Sequence, residues 1–166
     1  GGELGLDAQQ ERQDGLLRLV PGLGTRAVDR LADDYPMLAA PGQPGLRVNT
    51  SPADVARYSP KKLDVIDLLA NRFDTLDVRA FLRECGHQWP VVRQLLGVYD
   101  GDRLRRVTGL GPDFEREDVI VTFEGLLSDT PFLARMQALL RLLSEALGVP
   151  VDVEFASDGR DLYLLQ

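Results

Sequence analysis

The sequence predicts an α+β fold in which mostly antiparallel strands are packed by helices. Residues 151–156 alternate apolar side chains with Asp152, Glu154 and Ala156, and a polar turn at residues 157–160 separates them from a second run at residues 161–166, which is typical of a β-hairpin. Residues 130–148 have the apolar spacing and the end signals of a helix. Residues 117–123 contain successive β-branched side chains, which predicts an interior strand.

Composition and charge place the chain among ordinary folded domains. Its 166 residues suffice for one domain with a core, 44% of them are hydrophobic, and 27% are charged. The net charge of −7 argues against nucleic acid or an anionic membrane as a partner, because both require a basic surface. One cysteine excludes an internal disulfide, and no apolar run has the length of a membrane span, so we expect a cytoplasmic protein.

The first half of the chain is expected to contain one arm and one insertion. Residues 1–15 are polar and lack strong periodicity, which is typical of a loose N-terminal arm or the cut edge of something larger. Residues 16–166 are expected to form a single subdomain. Within it, residues 36–60 are proline-rich and predict a decorated loop, in which Ser51 and Pro52 begin a capped helical turn.

The middle of the chain predicts several short elements. Residues 63–69 fit a strand or one face of a helix equally well. Residues 77–84 predict a short amphipathic helix, and residues 99–102 predict a tight turn between two strands. The apolar side of the short helix comprises Val78, Phe81 and Leu82.

The longest predicted helix precedes the terminal hairpin. Thr130 is expected to cap it, Pro131 to occupy its first position, and Gly148 to end it. This helix is expected to pack on the sheet and to set the direction of the following strand. Its apolar side comprises Phe132, Leu133, Met136, Leu139, Leu140, Leu143 and Leu147.

Two polar residues of the terminal hairpin are candidate metal ligands. If the hairpin folds about a centre near Arg160, Glu154 lies opposite Gln166, and Ala156 and Leu164 form the next pair. A carboxylate and an amide oxygen on one face are hard ligands of the kind that Mg²⁺ takes. The same spacing also fits a hairpin whose polar face is simply solvated.

A glycine turn near the start of the chain is the second candidate site. Gly22, Leu23, Gly24 and Thr25 separate a short β-type run from a segment with helical spacing. Backbone N–H groups of such a turn can contact phosphate, although an ordinary tight turn has the same pattern. Arg26 or Arg30 would then stand near phosphates or face solvent.

Other polar groups have weaker signals. Cys85 and His87 are too few for a zinc site and too close in sequence for a catalytic pair, so we expect a structural role. Lys61 and Lys62 fit either an anion contact or a charged surface turn.

These segments resemble the nucleotide-binding domain of the pyruvate phosphate dikinase and phosphoenolpyruvate synthase family. Pro150-Val-Asp-Val-Glu154-Phe-Ala and Leu162-Tyr-Leu-Leu-Gln166 resemble the end of that domain. Leu19-Val-Pro-Gly-Leu-Gly-Thr25 resembles its Gly-Leu-Gly-Glu segment, and residues 57–68 resemble an insertion in a dikinase-like subgroup. The resemblance implies an ATP-grasp-like half-domain that ends in a C-terminal β-hairpin.

The family resemblance also implies a site. Glu154 and Gln166 would hold the magnesium of Mg-ATP, and the backbone of Gly22, Leu23, Gly24 and Thr25 would lie close to the nucleotide. ATP and Mg²⁺ are the implied cofactors, and the remaining lobe and a phosphohistidine domain are the implied partners. In the family, ATP phosphorylates a mobile histidine, whose phosphoryl group is passed to pyruvate.

The chain departs from the family pattern in two places. Thr25 stands where many members have Glu, and the sequence stops at Gln166, before the Arg that normally follows. No catalytic residue is assigned, and the fragment alone is expected to be inactive.

Three functions therefore stand as alternatives. The first is the ATP-binding portion of a phosphotransferase, and the second is a non-catalytic structural or regulatory module derived from the ATP-grasp fold. The third is an unrelated α+β interaction domain with a similar terminal hairpin, which would be favoured if Glu154 and Gln166 pointed to opposite faces.

Overall fold

The computed structural model describes residues 15–28, 34–42, 51–89 and 91–166, in which short strands and helices alternate. The strands in these ranges are β1 (Leu17–Leu19), β2 (Met37–Ala39), β3 (Lys62–Asp67), β4 (Arg72–Asp77), β5 (Leu96–Tyr99), β6 (Leu104–Arg106), β7 (Asp118–Val121), β8 (Phe155–Ser157) and β9 (Leu162–Leu164). The helices are α1 (Thr25–Val28), α2 (Pro52–Tyr58), α3 (Val78–Cys85), α4 (Val92–Leu95), α5 (Glu124–Asp129) and α6 (Phe132–Leu147), with a 3₁₀ turn at Gly86–Gln88.

The paired strands of the described ranges are antiparallel. β1 pairs with β2, β3 with β4, and β8 with β9, while β5 lies between β6 and β7. This arrangement confirms the predicted α+β class and the C-terminal β-hairpin, and it is consistent with an ATP-grasp-like half-domain. The predicted arm at residues 1–15 lies outside the described residues except for Gly15.

The ambiguous segment at residues 63–69 is a strand and the start of a turn. β3 pairs with β4 over six residues, from Lys62 opposite Asp77 to Asp67 opposite Arg72. The sequence did not predict β4, because its aspartates have low strand propensity. Pairing with β3 overrides that local preference.

The described part of the proline-rich segment, residues 36–60, contains one strand and one helix. β2 lies within it, and α2 begins with Pro52 after Ser51. The Ser51 hydroxyl oxygen accepts a hydrogen bond of 3.1 Å from the Asp54 N–H, which confirms the predicted cap. Residues 43–50 of this segment lie outside the described part of the chain, and its role as an insertion stays a prediction.

The short amphipathic helix is confirmed as α3. The Asp77 carboxylate accepts a hydrogen bond of 3.0 Å from the Ala80 N–H and so caps its first turn. Val78 and Leu82 are buried, and Phe81 is half-buried against the core. The predicted apolar side therefore faces inward.

The strand predicted at residues 117–123 is confirmed as β7 and is buried, and among the described strands it lies at the edge of its sheet. The sheet order is β6-β5-β7, so β5 is the middle strand. Val119, Ile120 and Val121 of β7 are all buried, and Val119 and Val121 belong to the core, in agreement with the continuous apolar sequence of this strand. The predicted turn after β5 is confirmed, and the Asp100 carboxylate accepts a hydrogen bond of 2.8 Å from the Arg103 N–H there.

The long helix α6 is confirmed, with two corrections. Its first helical residue is Phe132, so Thr130 is not the N-cap residue, and Pro131 takes the N-cap position instead of the first helical position. The Thr130 hydroxyl oxygen accepts a hydrogen bond of 3.2 Å from the Phe132 N–H, and Gly148 ends the helix with a φ of 69°. Met136 is fully buried, whereas Leu147 is 65% exposed, so only the first half of α6 packs deeply.

The core joins α3, α6 and the three-stranded sheet. Leu82, Val121 and Met136 are no more than 1% exposed and lie at its centre. No helix in the described ranges is both long and apolar enough to cross a membrane.

Candidate functional site

The C-terminal hairpin has a different register from the predicted one. Ala156 pairs with Tyr163 and Phe155 with Leu164, whereas the sequence predicted Ala156 opposite Leu164. The prediction was wrong by one residue, because the turn has its centre between Gly159 and Arg160 rather than at Arg160.

A β-bulge beyond the strands nevertheless brings Glu154 opposite Gln166. The Glu154 carbonyl oxygen accepts hydrogen bonds from the N–H groups of Leu165 and Gln166, at 2.8 and 3.4 Å. The Glu154 N–H donates to the Gln166 carbonyl oxygen at 2.9 Å. Leu165 and Gln166 thus both lie opposite Glu154, and this extra residue offsets the one-residue difference in register.

Burial along the hairpin separates an inner face from a solvent face. Val151, Val153 and Phe155 are half-buried, and the residues between them are exposed, including Glu154. Phe155 contacts the core helix through Phe132, with ring centroids 5.9 Å apart. The Glu154 carboxylate is therefore on the solvent face, and the Gln166 side chain is also exposed.

The chemistry of this pair fits Mg²⁺. A carboxylate and an amide supply two oxygen ligands, and Mg²⁺ commonly takes its other ligands from phosphate and water. Among the described residues, no group of three or more His, Cys, Asp or Glu side chains could hold a metal. The metal role of Glu154 and Gln166 stays a prediction.

The glycine turn, residues 22–25, is bound to the edge of β3. Gly22 forms a parallel bridge with Asp64, and the Leu23 N–H donates a hydrogen bond of 2.8 Å to the Asp64 carbonyl oxygen. Gly22 has a φ of 77°, a conformation that favours glycine. α1 then begins at Thr25.

The side chain of Asp64 continues this attachment. Its carboxylate accepts hydrogen bonds from the hydroxyls of Thr25 at 2.6 Å and Thr75 at 2.7 Å. It also accepts one from the Arg26 guanidinium at 3.4 Å. Asp64 is only 4% exposed, so it joins the glycine turn, β3 and β4 from inside the protein.

Arg26 is held between two carboxylates. Its Nε donates to Asp34 at 2.9 Å, in addition to the contact with Asp64. The second Asp34 oxygen accepts a hydrogen bond of 2.8 Å from the Lys61 N–H. The sequence alternative in which Arg26 faces solvent is wrong, because its side chain is 9% exposed and is paired inside the fold. The alternative in which it stands near phosphates stays a prediction. Arg30 lies outside the described residues.

Asp64, Arg26, Asp34, Thr25 and Thr75 form a polar cluster, in which the charged groups stabilise one another. Burial alone raises the pKa of Asp64, but hydrogen bonds from Thr25, Thr75 and Arg26 outweigh it and lower the pKa. Burial alone lowers the pKa of Arg26, but the two carboxylates outweigh it and raise the pKa. Both groups are therefore charged at neutral pH.

The cluster was missed by sequence reasoning. Asp64 lies between the apolar residues Leu63 and Val65, and a carboxylate in an apolar strand was the available signal. Its partner Thr25 is 39 positions away, so the pairing could not be inferred from spacing.

The remaining polar candidates have structural contacts. The Lys61 ammonium donates to the Ala56 carbonyl oxygen at 2.5 Å and to the Ser59 hydroxyl at 2.7 Å, and burial is the main cause of its lowered pKa. Lys62 is exposed. The His87 ring lies edge-on to Phe114, with centroids 4.9 Å apart, in agreement with a structural role.

The two candidate segments lie on separate parts of the fold. Within the part of the chain that the structure describes, no hydrogen bond joins the glycine turn to Glu154 or Gln166. The turn is attached to the β3–β4 hairpin, whereas Glu154 and Gln166 flank the strands of the β8–β9 hairpin.

The short helices and the antiparallel strand pairs define an α+β domain. Within that class, the family model described as pyruvate phosphate dikinase, AMP/ATP-binding domain, matches residues 4–166. The chain belongs to this family and is a nucleotide-binding part of a dikinase-like protein. No curated protein and no solved structure matches the chain.

Proposed function

We propose that the chain is the ATP-binding portion of a phosphotransferase resembling pyruvate phosphate dikinase and phosphoenolpyruvate synthase. It holds Mg-ATP while a phosphoryl group is transferred to a histidine carrier. The observation that carries the proposal is the pairing of Glu154 with Gln166 through backbone hydrogen bonds, with both side chains exposed. Family membership supports the nucleotide as the ligand.

In this proposal, Glu154 and Gln166 hold Mg²⁺ and residues 22–25 lie near the nucleotide. When bound there, Mg²⁺ would neutralise part of the negative charge on the transferred phosphoryl oxygens. The hairpin keeps the backbones of the two residues side by side, because they are hydrogen-bonded to each other at that position. Phe155 and Phe132 anchor the hairpin to α6 and so orient the carboxylate.

The proposed partners are the remaining lobe of the domain and a phosphohistidine domain. Exposed apolar side chains on α6 and the hairpin support a packed neighbour, including Leu142 at 63%, Leu147 at 65% and Leu165 at 64% exposure. We propose a cytoplasmic location, which the single cysteine supports.

The second candidate is a non-catalytic structural or regulatory module. It is favoured by the contacts of Thr25 and Arg26, whose polar groups are directed to Asp64 and Asp34 within the fold. These two side chains stabilise the glycine turn irrespective of any ligand.

The test measures Mg²⁺-dependent binding of a non-hydrolysable ATP analogue by titration calorimetry. The protein is the native polypeptide that contains these residues, compared with its Glu154→Ala and Asp152→Ala variants. Both residues are exposed acids of the same segment, so the second variant controls for the loss of one negative charge. We expect Glu154→Ala to weaken Mg²⁺-dependent binding by about tenfold or more, and Asp152→Ala to change it by less than about twofold.

Each outcome decides between the candidates. Equal affinities for the two variants would reject Glu154 as a metal ligand. Failure of the parent protein to bind the analogue, with or without Mg²⁺, would favour the non-catalytic module.

A further inference from the structure

We propose that Asp64 is a positioning residue that holds the glycine turn in its nucleotide-binding conformation. The inference rests on the proposed function, because it assumes that residues 22–25 lie near the nucleotide. It adds a residue that contacts the turn but not the ligand.

Asp64 binds the glycine turn through its own carbonyl oxygen and through its own carboxylate. Its carbonyl oxygen accepts from the Leu23 N–H at 2.8 Å, and its carboxylate accepts from the Thr25 hydroxyl at 2.6 Å. The carboxylate also contacts the Arg26 guanidinium, directly after the turn. Among the described residues, the hydrogen bonds that attach the turn to the rest of the fold all lead to Asp64.

The turn needs such an attachment. Residues 22–25 are all exposed, and α1, which follows, has only four residues. A helix of this length has little stability of its own, so it does not hold the turn in place. The conformation of the turn therefore depends on contacts with its neighbour.

Asp64 is itself firmly held. It lies opposite Thr75 in the β3–β4 pair and accepts the hydroxyl hydrogen bond of that residue at 2.7 Å. With 4% exposure, its side chain is out of reach of a ligand on the surface. Any effect of Asp64 on nucleotide affinity is therefore transmitted through the turn.

Two matched substitutions separate positioning from general stability. Asp64→Asn removes the charge that holds Thr25 and Arg26, while Thr75→Val removes a hydrogen bond to the same carboxylate from the strand side. We measure Mg-ATP-analogue affinity and the hydrogen exchange of the Leu23 amide in the native polypeptide. Asp64→Asn should weaken binding by about tenfold or more and accelerate exchange, whereas Thr75→Val should change binding by less than about threefold.

A second pair covers the case in which Asp64→Asn does not fold. Thr25 is exposed, so Thr25→Val removes its hydroxyl with little risk to the core, and Thr25→Ser restores the hydroxyl. We expect the valine variant to show faster Leu23 exchange than the parent, and the serine variant to restore the exchange rate of the parent.

The outcomes distinguish this inference from the proposed function. If the parent binds the analogue but both pairs of variants match it in affinity and in Leu23 exchange, Asp64 is not a positioning residue. If the parent does not bind, the proposed function fails. In that case the exchange rate of the Leu23 amide alone decides whether Asp64 holds the turn. A rate in the variants equal to that of the parent would overturn the positioning role of Asp64 as well.

Discussion

The backbone of Gly22 approaches Asp64 so closely that a side chain at position 22 would overlap the Asp64 carbonyl oxygen. The same carbonyl oxygen accepts the Leu23 N–H, so the contact places the glycine turn against β3. A close approach of two backbones and a φ of 77° both require glycine at this position. The neighbouring Gly24 has open space around its Cα.

We predict that Gly22→Ala destabilises the protein by at least about 2 kcal/mol, because it adds backbone strain and a steric overlap. Gly24→Ala is the matched control, with no atom within 4 Å of the added Cβ, and should cost less than about 1 kcal/mol. Urea denaturation measures both free energies of unfolding. Similar values for the two variants would contradict the close contact with Asp64.

We predict that Asp64 makes stability depend on acid pH. Its pKa in the folded state is lowered, so its contribution is fully present above the ordinary aspartate pKa of about 3.9 and is lost as the pH falls through the folded-state value. The free energy of unfolding of the parent should therefore approach that of Asp64→Asn as the pH falls below about 4.

Denaturation at a series of pH values provides the measurement. Backbone N–H groups lower the pKa of Asp67, Asp100 and Asp158 as well, but these residues are present in both proteins, so their effects cancel in the comparison. If the difference in free energy of unfolding between the parent and Asp64→Asn stayed constant from neutral to strongly acid pH, Asp64 would not be the source of the pH dependence.

We predict that Gly159→Ala displaces the C-terminal hairpin. Gly159 has a φ of 87°, and an added Cβ would overlap the Cγ1 atom of Val91. Gly101→Ala is the matched control, because Gly101 has a φ of 97° but open space around it. Both variants should lose about 1 kcal/mol from backbone strain, and Gly159→Ala should lose about 1–3 kcal/mol more from the overlap.

Amide exchange of the Glu154 and Leu165 N–H groups reports the hairpin directly, since both are hydrogen-bonded across it. Faster exchange in Gly159→Ala than in Gly101→Ala is the expected result. Equal exchange would mean that Val91 does not support the hairpin tip.

We predict that α6 stabilises the fold mainly through its first half. Met136→Ala should cost about 2–5 kcal/mol, because Met136 is fully buried and the substitution leaves a cavity. Leu142→Ala, on the same helix, should cost less than about 1 kcal/mol, because Leu142 is 63% exposed. Thermal denaturation compares the stabilities of the two variants. A similar loss of stability in both would indicate that the second half of α6 is also packed.

The elements of this fold differ in how far they could be predicted. The cap of α2, the apolar side of α3 and the hairpin after Gly148 were predicted correctly, because each depends on residues close in sequence. The hairpin register was wrong by one residue, because it depends on the turn geometry and on a bulge at Leu165 and Gln166. The metal role of Glu154 and Gln166 stays a prediction.

The sequence by itself determined the α+β class, the long helix and the terminal hairpin, since periodicity, caps and turn residues act over short distances. Only the tertiary structure decided that Asp64 holds the glycine turn and that Arg26 is buried. Those contacts join residues 38 and 39 positions apart, and a buried charge is stable only where the fold supplies its partners.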